Sequence, residues 1–448
     1  MPDFPISTSK FDISPRRLPL GGRGELFSLQ TDRFKTSRLS LFTVLPQTRK
    51  TAVLAPLMLS VLRRGCEGYP NLLAIDRRTD ELWGSAVQFR DFPYGDRKIL
   101  GLTMEYVDPA YLPGREDVLP DLSDLVRRML FCPLTDENGL LSAALVEDEK
   151  RLQCEEIEGL VASPRRYAHT HACSLFFEGR PCGIPAGGSV EETRAVTPEE
   201  LTAFWREWCK TAFFSFYYIG ATPPETIAST LSQAFPVLSE GSAAAPTSFL
   251  EVLPPRRAET VRRKEEALEI SQGHLLMFFQ ADGAVWGDER IPAFEVAKEI
   301  LGGSPVSLLF ANVREKRSLC YWIAAYYLNS RGAMLVQCAL APANREAAER
   351  EILCQVERLQ RGEFTDEELD AARKSLAFYY RTVPDIAGNI ESILFRRNMT
   401  PEKQTPEEAA ARIGAVTREE VVEAAKLFSL DTVYFLTGLK GGEETDEV

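Results

Sequence analysis

Hydrophobic and polar positions repeat in two similar blocks of the chain, about half a chain length apart. In each block a threonine stands three residues before a glutamate, Thr197 before Glu200 and Thr417 before Glu420. This spacing is typical of a capping box, in which two side chains satisfy free amides at the start of a helix. Each predicted helix leads into a strand-like run that ends in glycine: Leu201–Trp208 into Ala212–Gly220, and Val421–Phe428 into Thr432–Gly438.

The two halves also begin alike. A strand-like run, Leu39–Leu45, precedes a helical pattern that ends at Gly65. In the second half, Leu275–Phe279 precedes a helical pattern that ends at Gly303. Glycine is favoured just after a helix because it tolerates a left-handed backbone. The similarity of the two halves predicts a duplicated architecture, with strands early and late in each half and helices between them.

The segment between the halves has no regular period. Residues 241–264 combine glycine, alanine and proline with a basic cluster, which indicates a linker. We therefore predict an α+β protein with an N-terminal domain at residues 1–235, a linker at 236–264 and a C-terminal homologous domain at 265–448.

Composition and charge exclude several classes of protein. The 448 residues are 44% hydrophobic and 26% charged, which is typical of a soluble protein with a real core. The chain has 52 Lys and Arg against 65 Asp and Glu, a net charge of −13. Nucleic-acid binding requires a cationic surface that displaces counterions, so we expect no nucleic-acid partner.

The start of the chain and its cysteines predict a cytoplasmic protein. Residues 1–10 show no basic segment followed by an apolar run, so no signal peptide is expected. The longest apolar stretch, Thr51–Leu62, is too short to span a bilayer and contains Pro56, so we expect no membrane contact. The nine cysteines are scattered without a CxxC pair, which is typical of reduced thiols.

One segment of the second half contains a motif that resembles that of a known protein family. Residues 309–321 read LFANVREKRSLCY, with Arg314 and Tyr321 seven positions apart. By itself this indicates a solvated charge run before a core strand. Together with the duplication, however, it resembles the insulinase/pitrilysin-type zinc peptidases, especially their bacterial, processing-protease-like branch. The resemblance implies a clamshell of two homologous domains, each a mostly antiparallel sheet with helices packed on it.

The resemblance implies a role in substrate binding for Arg314 and Tyr321. In the family, the arginine and the tyrosine hold the substrate backbone near the scissile carbonyl, which implies that Arg314 and Tyr321 bind substrate. A guanidinium supplies donors in a fixed geometry, and a phenol can donate to a developing oxyanion.

The zinc motif of the family is missing. HxxEH supplies two histidine ligands and a catalytic glutamate from one helix. Alignment on Gly65 places Pro56-Leu57-Met58-Leu59-Ser60 there, so Pro56 and Ser60 replace the histidines and Leu59 the glutamate. No other register restores the motif, because the first histidine of the chain is His169. We expect no metal site and no cofactor in this chain.

Two further features follow from the resemblance. The family's third zinc ligand is a glutamate preceded by another seven residues earlier, and Glu149 with Glu156 fits this spacing. Without imidazoles they would form a poor zinc site, and an acidic solvated helix face is the simpler interpretation. The family also pairs bound peptide with an edge strand, for which Ser85–Phe89 is the candidate, with Ser85, Ala86 and Val87 binding substrate.

A second candidate for metal binding lies in the middle of the chain. His169, His171 and Cys173 would share a face on a strand but would diverge on the helix that residues 165–177 predict. We therefore expect no metal there.

The predicted function is a non-catalytic subunit of a two-component zinc metallopeptidase. Arg314 and Tyr321 would grip a peptide in trans, and a homologous partner chain carrying HxxEH would supply zinc. The lone chain would be inactive, and could form homodimers in isolation. The alternative is a peptide-binding or scaffold protein with a degenerate peptidase fold and no role in proteolysis.

Overall fold

A six-stranded sheet forms the centre of the first half. The computed structural model describes residues 12–245 and 258–438, and the account below concerns those residues. The strands are β1 (Arg16–Pro19), β2 (Gly24–Gln30), β3 (Thr36–Pro46), β4 (Ala86–Tyr94), β5 (Arg97–Val107) and β6 (Phe214–Gly220). Their order is β1-β2-β6-β3-β5-β4, in which only the β2–β6 pair is parallel.

The second half repeats this topology with five strands. They are β7 (Arg262–Leu268), β8 (Gly273–Gln280), β9 (Trp322–Leu328), β10 (Ala333–Leu340) and β11 (Ser429–Gly438). Their order is β7-β11-β8-β10-β9, with β7–β11 as the parallel pair. Each of these strands therefore matches one strand of the first sheet, β7 matching β2 and β9 matching β4. The predicted α+β fold of two homologous domains is confirmed.

Helices connect corresponding strands in the two halves. Those of the first half are α1 (Arg49–Arg63), α2 (Leu72–Glu81), α3 (Leu119–Phe131), α4 (Ala143–Glu158), α5 (Pro164–Phe176), α6 (Val190–Ala195), α7 (Pro198–Thr211) and α8 (Pro224–Ala234). Those of the second half are α9 (Ile291–Gly302), α10 (Arg345–Gln360), α11 (Asp366–Thr382), α12 (Ala387–Met399), α13 (Pro406–Ala415) and α14 (Arg418–Lys426).

The repeated threonines start helices, as predicted. Thr417 and Glu420 form a complete capping box on α14. At α7 the hydroxyl of Thr197 accepts from the amide of Glu200 at 3.2 Å, but the Glu200 carboxylate lies 3.7 Å from Lys50 instead of closing the box. Pro198 occupies the first turn of α7, where its missing N–H costs no hydrogen bond.

Each half contributes one helix to the sheet of the other half. Helix α5 covers one face of the second sheet, where Phe176 stacks on Phe278 with ring centroids 4.6 Å apart. Helix α12 covers one face of the first sheet, where Phe395 packs against Phe42 at 5.1 Å. The opposite face of each sheet buries the larger apolar core beneath the remaining helices. The two halves are therefore joined through two shared apolar clusters, one around α5 and one around α12.

Two predicted boundaries are corrected by the structure. Strand β7 begins at Arg262, so the last three residues of the predicted linker belong to the second sheet, while residues 246–257 of that linker lie outside the described ranges. The predicted strand Ser85–Phe89 instead begins at Ala86 and continues to Tyr94. Ser85 lies in the turn before it and donates to the carbonyl of Leu82 at 2.6 Å. Within residues 12–245 and 258–438, no helix is long and apolar enough to cross a membrane.

Candidate functional site

The segment aligned with HxxEH lies on α1 and points into the core. Leu57 and Met58 are fully buried and Leu59 is 5% exposed, while Pro56 and Ser60 are half-buried. Alkyl side chains and proline neither bind a metal nor move a proton. The residues present in this part of α1 therefore do not fit a zinc ion.

The proline is accommodated by a neighbouring loop. Because Pro56 has no N–H, the carbonyl of Ala52 one turn earlier loses its helical donor. The amide of Gly187 donates to that carbonyl instead, at 3.1 Å. The Gln153 side chain on α4 reinforces the contact, donating to the carbonyls of Val53 at 3.3 Å and Gly187 at 3.2 Å. The loop around Gly187 is thus fastened to α1 one turn before the degenerate motif.

Gly188 provides the test of this close packing. An added Cβ would lie 2.2 Å from Cγ2 of Val53, and the backbone φ is +71°. We expect Gly188→Ala to lower the free energy of unfolding by about 2–4 kcal/mol, from left-handed strain plus overpacking. Gly179→Ala is the matched control, because Gly179 has φ +74° but no atom within 4 Å of the added Cβ. Urea denaturation should separate the variants, and equal losses would contradict the packing argument.

The two candidate glutamates on α4 occupy different environments. Glu149 is 4% exposed, with Oε1 3.4 Å from Nε of Arg64. The Glu156 side chain is 74% exposed and lies 3.6 Å from Arg166. Their spacing of seven residues does not bring the two carboxylates into one site. In the part of the chain that the structure describes, no group of three His, Cys, Asp or Glu could hold a metal ion.

The histidines at 169 and 171 diverge, as their placement on a helix predicts. On α5, His169 lies 3.8 Å from Sγ of Cys173. His171 stacks on Tyr167 at 4.0 Å and lies 3.6 Å from Glu266. Burial lowers the pKa of both imidazoles, which favours their neutral forms.

Arg314 and Tyr321 flank the turn that leads into β9. Arg314 lies in a π-helical segment, Phe310–Lys316, with its guanidinium 4.6 Å from the ring centroid of Phe310 and 3.8 Å from Glu315. Such segments are rare and occur frequently at functional sites. Ser318 adopts φ +50° within the turn, and the amide of Tyr321 then donates to Ala339 on β10.

The two side chains remain available to a ligand. Arg314 is 41% exposed as a side chain and Tyr321 is 57% exposed. Among the described residues, the Tyr321 hydroxyl has no hydrogen-bond partner. The guanidinium of Arg314, in the segment before an edge strand, and the phenol of Tyr321, just before that strand, can contact an extended peptide backbone.

The matching position in the first half is the start of β4. Strand β4 is the outermost strand beside β5, so one backbone edge has no partner strand within the described sheet. Ala86 and Val87 lie at its start and are half-buried, whereas the side chain of Ser85 is turned back to Leu82. Trp83 adopts φ +59° just before this strand, as Ser318 does before β9. The pairing edge therefore carries Ala86 and Val87 but not Ser85.

The loop around Gly187, which packs on α1, was not predicted from the sequence. Gly187 and Gly188 both adopt positive φ, and their adjacent glycines are the signal from which a tight turn could have been predicted. The role of Gln153 had no such signal, because it depends on a contact with a residue one hundred positions away.

The sequence is similar to those of M16-type peptidases. Residues 195–376 match the model of the "Peptidase M16 inactive domain". A "probable inactive metalloprotease", YmfF of Bacillus subtilis, is 23% identical over 92% of this chain and 95% of its own length. An "uncharacterized zinc protease" of Streptomyces coelicolor is 28% identical, over 46% of this chain and 44% of its own length.

Solved structures show the same fold. A conserved protein from Enterococcus faecalis aligns with a TM-score of 0.87 at 24% identity, over 96% of this chain and all of that one. A "peptidase M16 inactive domain" from Pseudomonas fluorescens gives 0.75 at 17% identity, over 96% and 99% of the two chains. The fold is that of a two-domain clamshell peptidase. This chain is similar to the insulinase-type peptidases and contains no HxxEH motif, and its matches to an inactive peptidase domain and to a probable inactive metalloprotease support a non-catalytic chain.

Proposed function

We propose that this chain is the substrate-gripping subunit of a two-component metallopeptidase, whose homologous partner carries HxxEH and the zinc. The observation that carries the proposal is the contrast between two positions. The zinc-motif segment of α1 is largely buried and apolar, whereas the side chains of Arg314 and Tyr321 stay exposed ahead of β9. A chain with no use for substrate has no evident need to expose both.

The chemistry assigned to this chain is positioning and electrostatic stabilisation. Arg314 would donate to backbone carbonyls of a bound peptide, which fixes its register. Tyr321 would donate to the oxyanion that develops at the scissile carbonyl. The free edge of β4, at Ala86 and Val87, offers further backbone hydrogen bonds to an extended peptide. Proton transfer and hydrolysis are assigned to the partner.

Arg314→Ala tests this assignment. In a mixture with the homologous HxxEH-bearing chain, we expect cleavage of a fluorogenic peptide to fall about 100-fold, because a misplaced substrate can cost that much in rate. Lys316→Ala is the matched control, because it removes one exposed cation from the same π-helical segment. Assembly, followed by analytical ultracentrifugation, should be unchanged in both variants. An Arg314→Ala mixture that cleaves at the wild-type rate would favour the scaffold alternative.

A further inference from the structure

A cavity of about 470 Å³ lies between α5 of the first half and the β9–β10 edge of the second sheet. Helix α5 contributes Arg165, Arg166 and His169, and the sheet contributes Tyr326, Leu335 and Gln337. Among the described residues that line this cavity, none is acidic. In a chain with a net charge of −13, a cavity lined only by cationic, polar and apolar groups is distinctive.

Arg165 is held in place without a carboxylate partner. Its guanidinium lies 4.1 Å from the ring centroid of Trp322 and donates one hydrogen bond to the Tyr326 hydroxyl at 3.3 Å. Among the described residues no Asp or Glu forms an ion pair with it, whereas Arg166 lies 3.6 Å from Glu156. The remaining N–H groups of Arg165 are a preorganised fork that suits a carboxylate.

A buried amide in the same cavity also has no hydrogen-bond partner. Gln337 lies on β10, is 3% exposed and lines the cavity, and its Nε2 contacts no acceptor among the described residues. A buried donor without an acceptor destabilises the folded state, so such groups are uncommon in folded proteins. An acceptor bound in the cavity would remove this cost.

The start of α5 adds to the positive potential. Its N-cap, Ser163, makes no side-chain hydrogen bond to the helix, and Arg165 and Arg166 lie in the first turn. Cations are unfavourable at a helix N-terminus, where the dipole is positive and the first amides have no intrahelical acceptor. Gln337, on a different element, lines the same cavity as Arg165 and Arg166.

We infer that this cavity binds a carboxylate carried on an apolar body, with Arg165 and the Gln337 amide as its donors. Leu335 and the ring of Tyr326 supply the apolar wall. The carboxylate could be the C-terminus of a peptide or an acidic side chain within one, since both present the same chemistry to the site. The site is complete within this chain, so it is tested without any partner subunit, and its failure would leave the proposed role of Arg314 unaffected.

Three fluorescein-labelled probe peptides of one apolar sequence test the inference by fluorescence anisotropy. The first has a free C-terminus, the second is amidated, and the third is amidated with one internal glutamate. We expect at least one carboxylate-bearing probe to bind about 10-fold or more tightly than the uncharged one. The free terminus is the source if the first probe leads, and an acidic side chain if the third does. Equal binding of all three, or no binding of the first and third at about 1 mM, overturns the site.

Variants locate the binding within the cavity. Arg165→Gln should abolish the preference for carboxylate, whereas Arg151→Gln, which removes an exposed cation on α4 that does not line the cavity, should retain it. Gln337→Leu should weaken carboxylate binding about 10-fold while raising the melting temperature of the free protein by about 2 °C, because a buried unpaired donor is removed. A carboxylate preference that survives Arg165→Gln in a normally folded protein overturns the assignment.

Discussion

Glu391→Ala is expected to lower the free energy of unfolding by about 3–5 kcal/mol, the usual result of removing one partner from a buried ion pair. Glu391 lies on α12 of the second half but is only 2% exposed against the first sheet. Its carboxylate accepts from Nε of Arg38 at 2.7 Å and also contacts Arg90 and the hydroxyl of Ser40. Its removal would leave Arg90 without a carboxylate partner among the described residues, and Arg38 with only the half-exposed Glu105.

Glu105→Ala is the matched control. Glu105 also pairs with Arg38, but its side chain is 45% exposed, so its loss should cost less than about 1 kcal/mol. Urea denaturation followed by tryptophan fluorescence measures both variants. Because Glu391 joins α12 to the opposite half, the Glu391→Ala transition should also broaden or divide into two steps. Equal, small losses for both variants would contradict the account of how the halves are held together.

Leu59→Glu, which places a glutamate where the alignment on Gly65 predicts the catalytic residue of HxxEH, is expected to destabilise the protein by about 3–5 kcal/mol near neutral pH. Leu59 is 5% exposed within the apolar core that α1 shares with the first sheet. A carboxylate placed in this apolar cluster would lose much of its hydration. Burial would raise its pKa, so the loss should shrink as the pH falls and the group becomes protonated.

Ser60→Glu serves as the control for Leu59→Glu. Ser60 is the next residue of α1 and is half-buried, so a carboxylate there can reach solvent. We expect its cost to stay below about 1 kcal/mol and to vary little with pH. Denaturation midpoints at several pH values check both variants. A Leu59→Glu protein as stable as Ser60→Glu would show that this part of α1 is more open than the structure indicates.

Much of the fold could be predicted from local signals. The threonine caps before α7 and α14, and the strand-like runs that follow them, predicted a duplication that the sheet orders confirm. These signals act over a few residues, and they recur because the two halves share one arrangement of strands and helices. The exchange of α5 and α12 between the halves had no such signal. It depends on contacts such as Arg38 with Glu391, which are 353 positions apart.

The candidate site was predictable in part, for a related reason. The absence of histidines can be read from the sequence. The packing of the Gly187 loop on α1 cannot, because Gly187 contacts Ala52 only in the folded chain. The spacing of Glu149 and Glu156 indicated a shared helical face. That spacing could not show that one carboxylate would meet Arg64 in the interior while the other stayed in solvent. The roles of Arg314 and Tyr321 remain predictions, for which their exposure provides support.

Zinc content and peptidase activity, measured for the lone chain and for its mixture with the homologous HxxEH-bearing chain, test the central claim most directly. The account predicts that the lone chain contains no stoichiometric zinc and cleaves no peptide, and that the mixture cleaves peptides in an Arg314-dependent manner. Stoichiometric zinc with activity in the lone chain would contradict it. Inactivity of a correctly assembled mixture would contradict the proposed role in proteolysis and favour a scaffold.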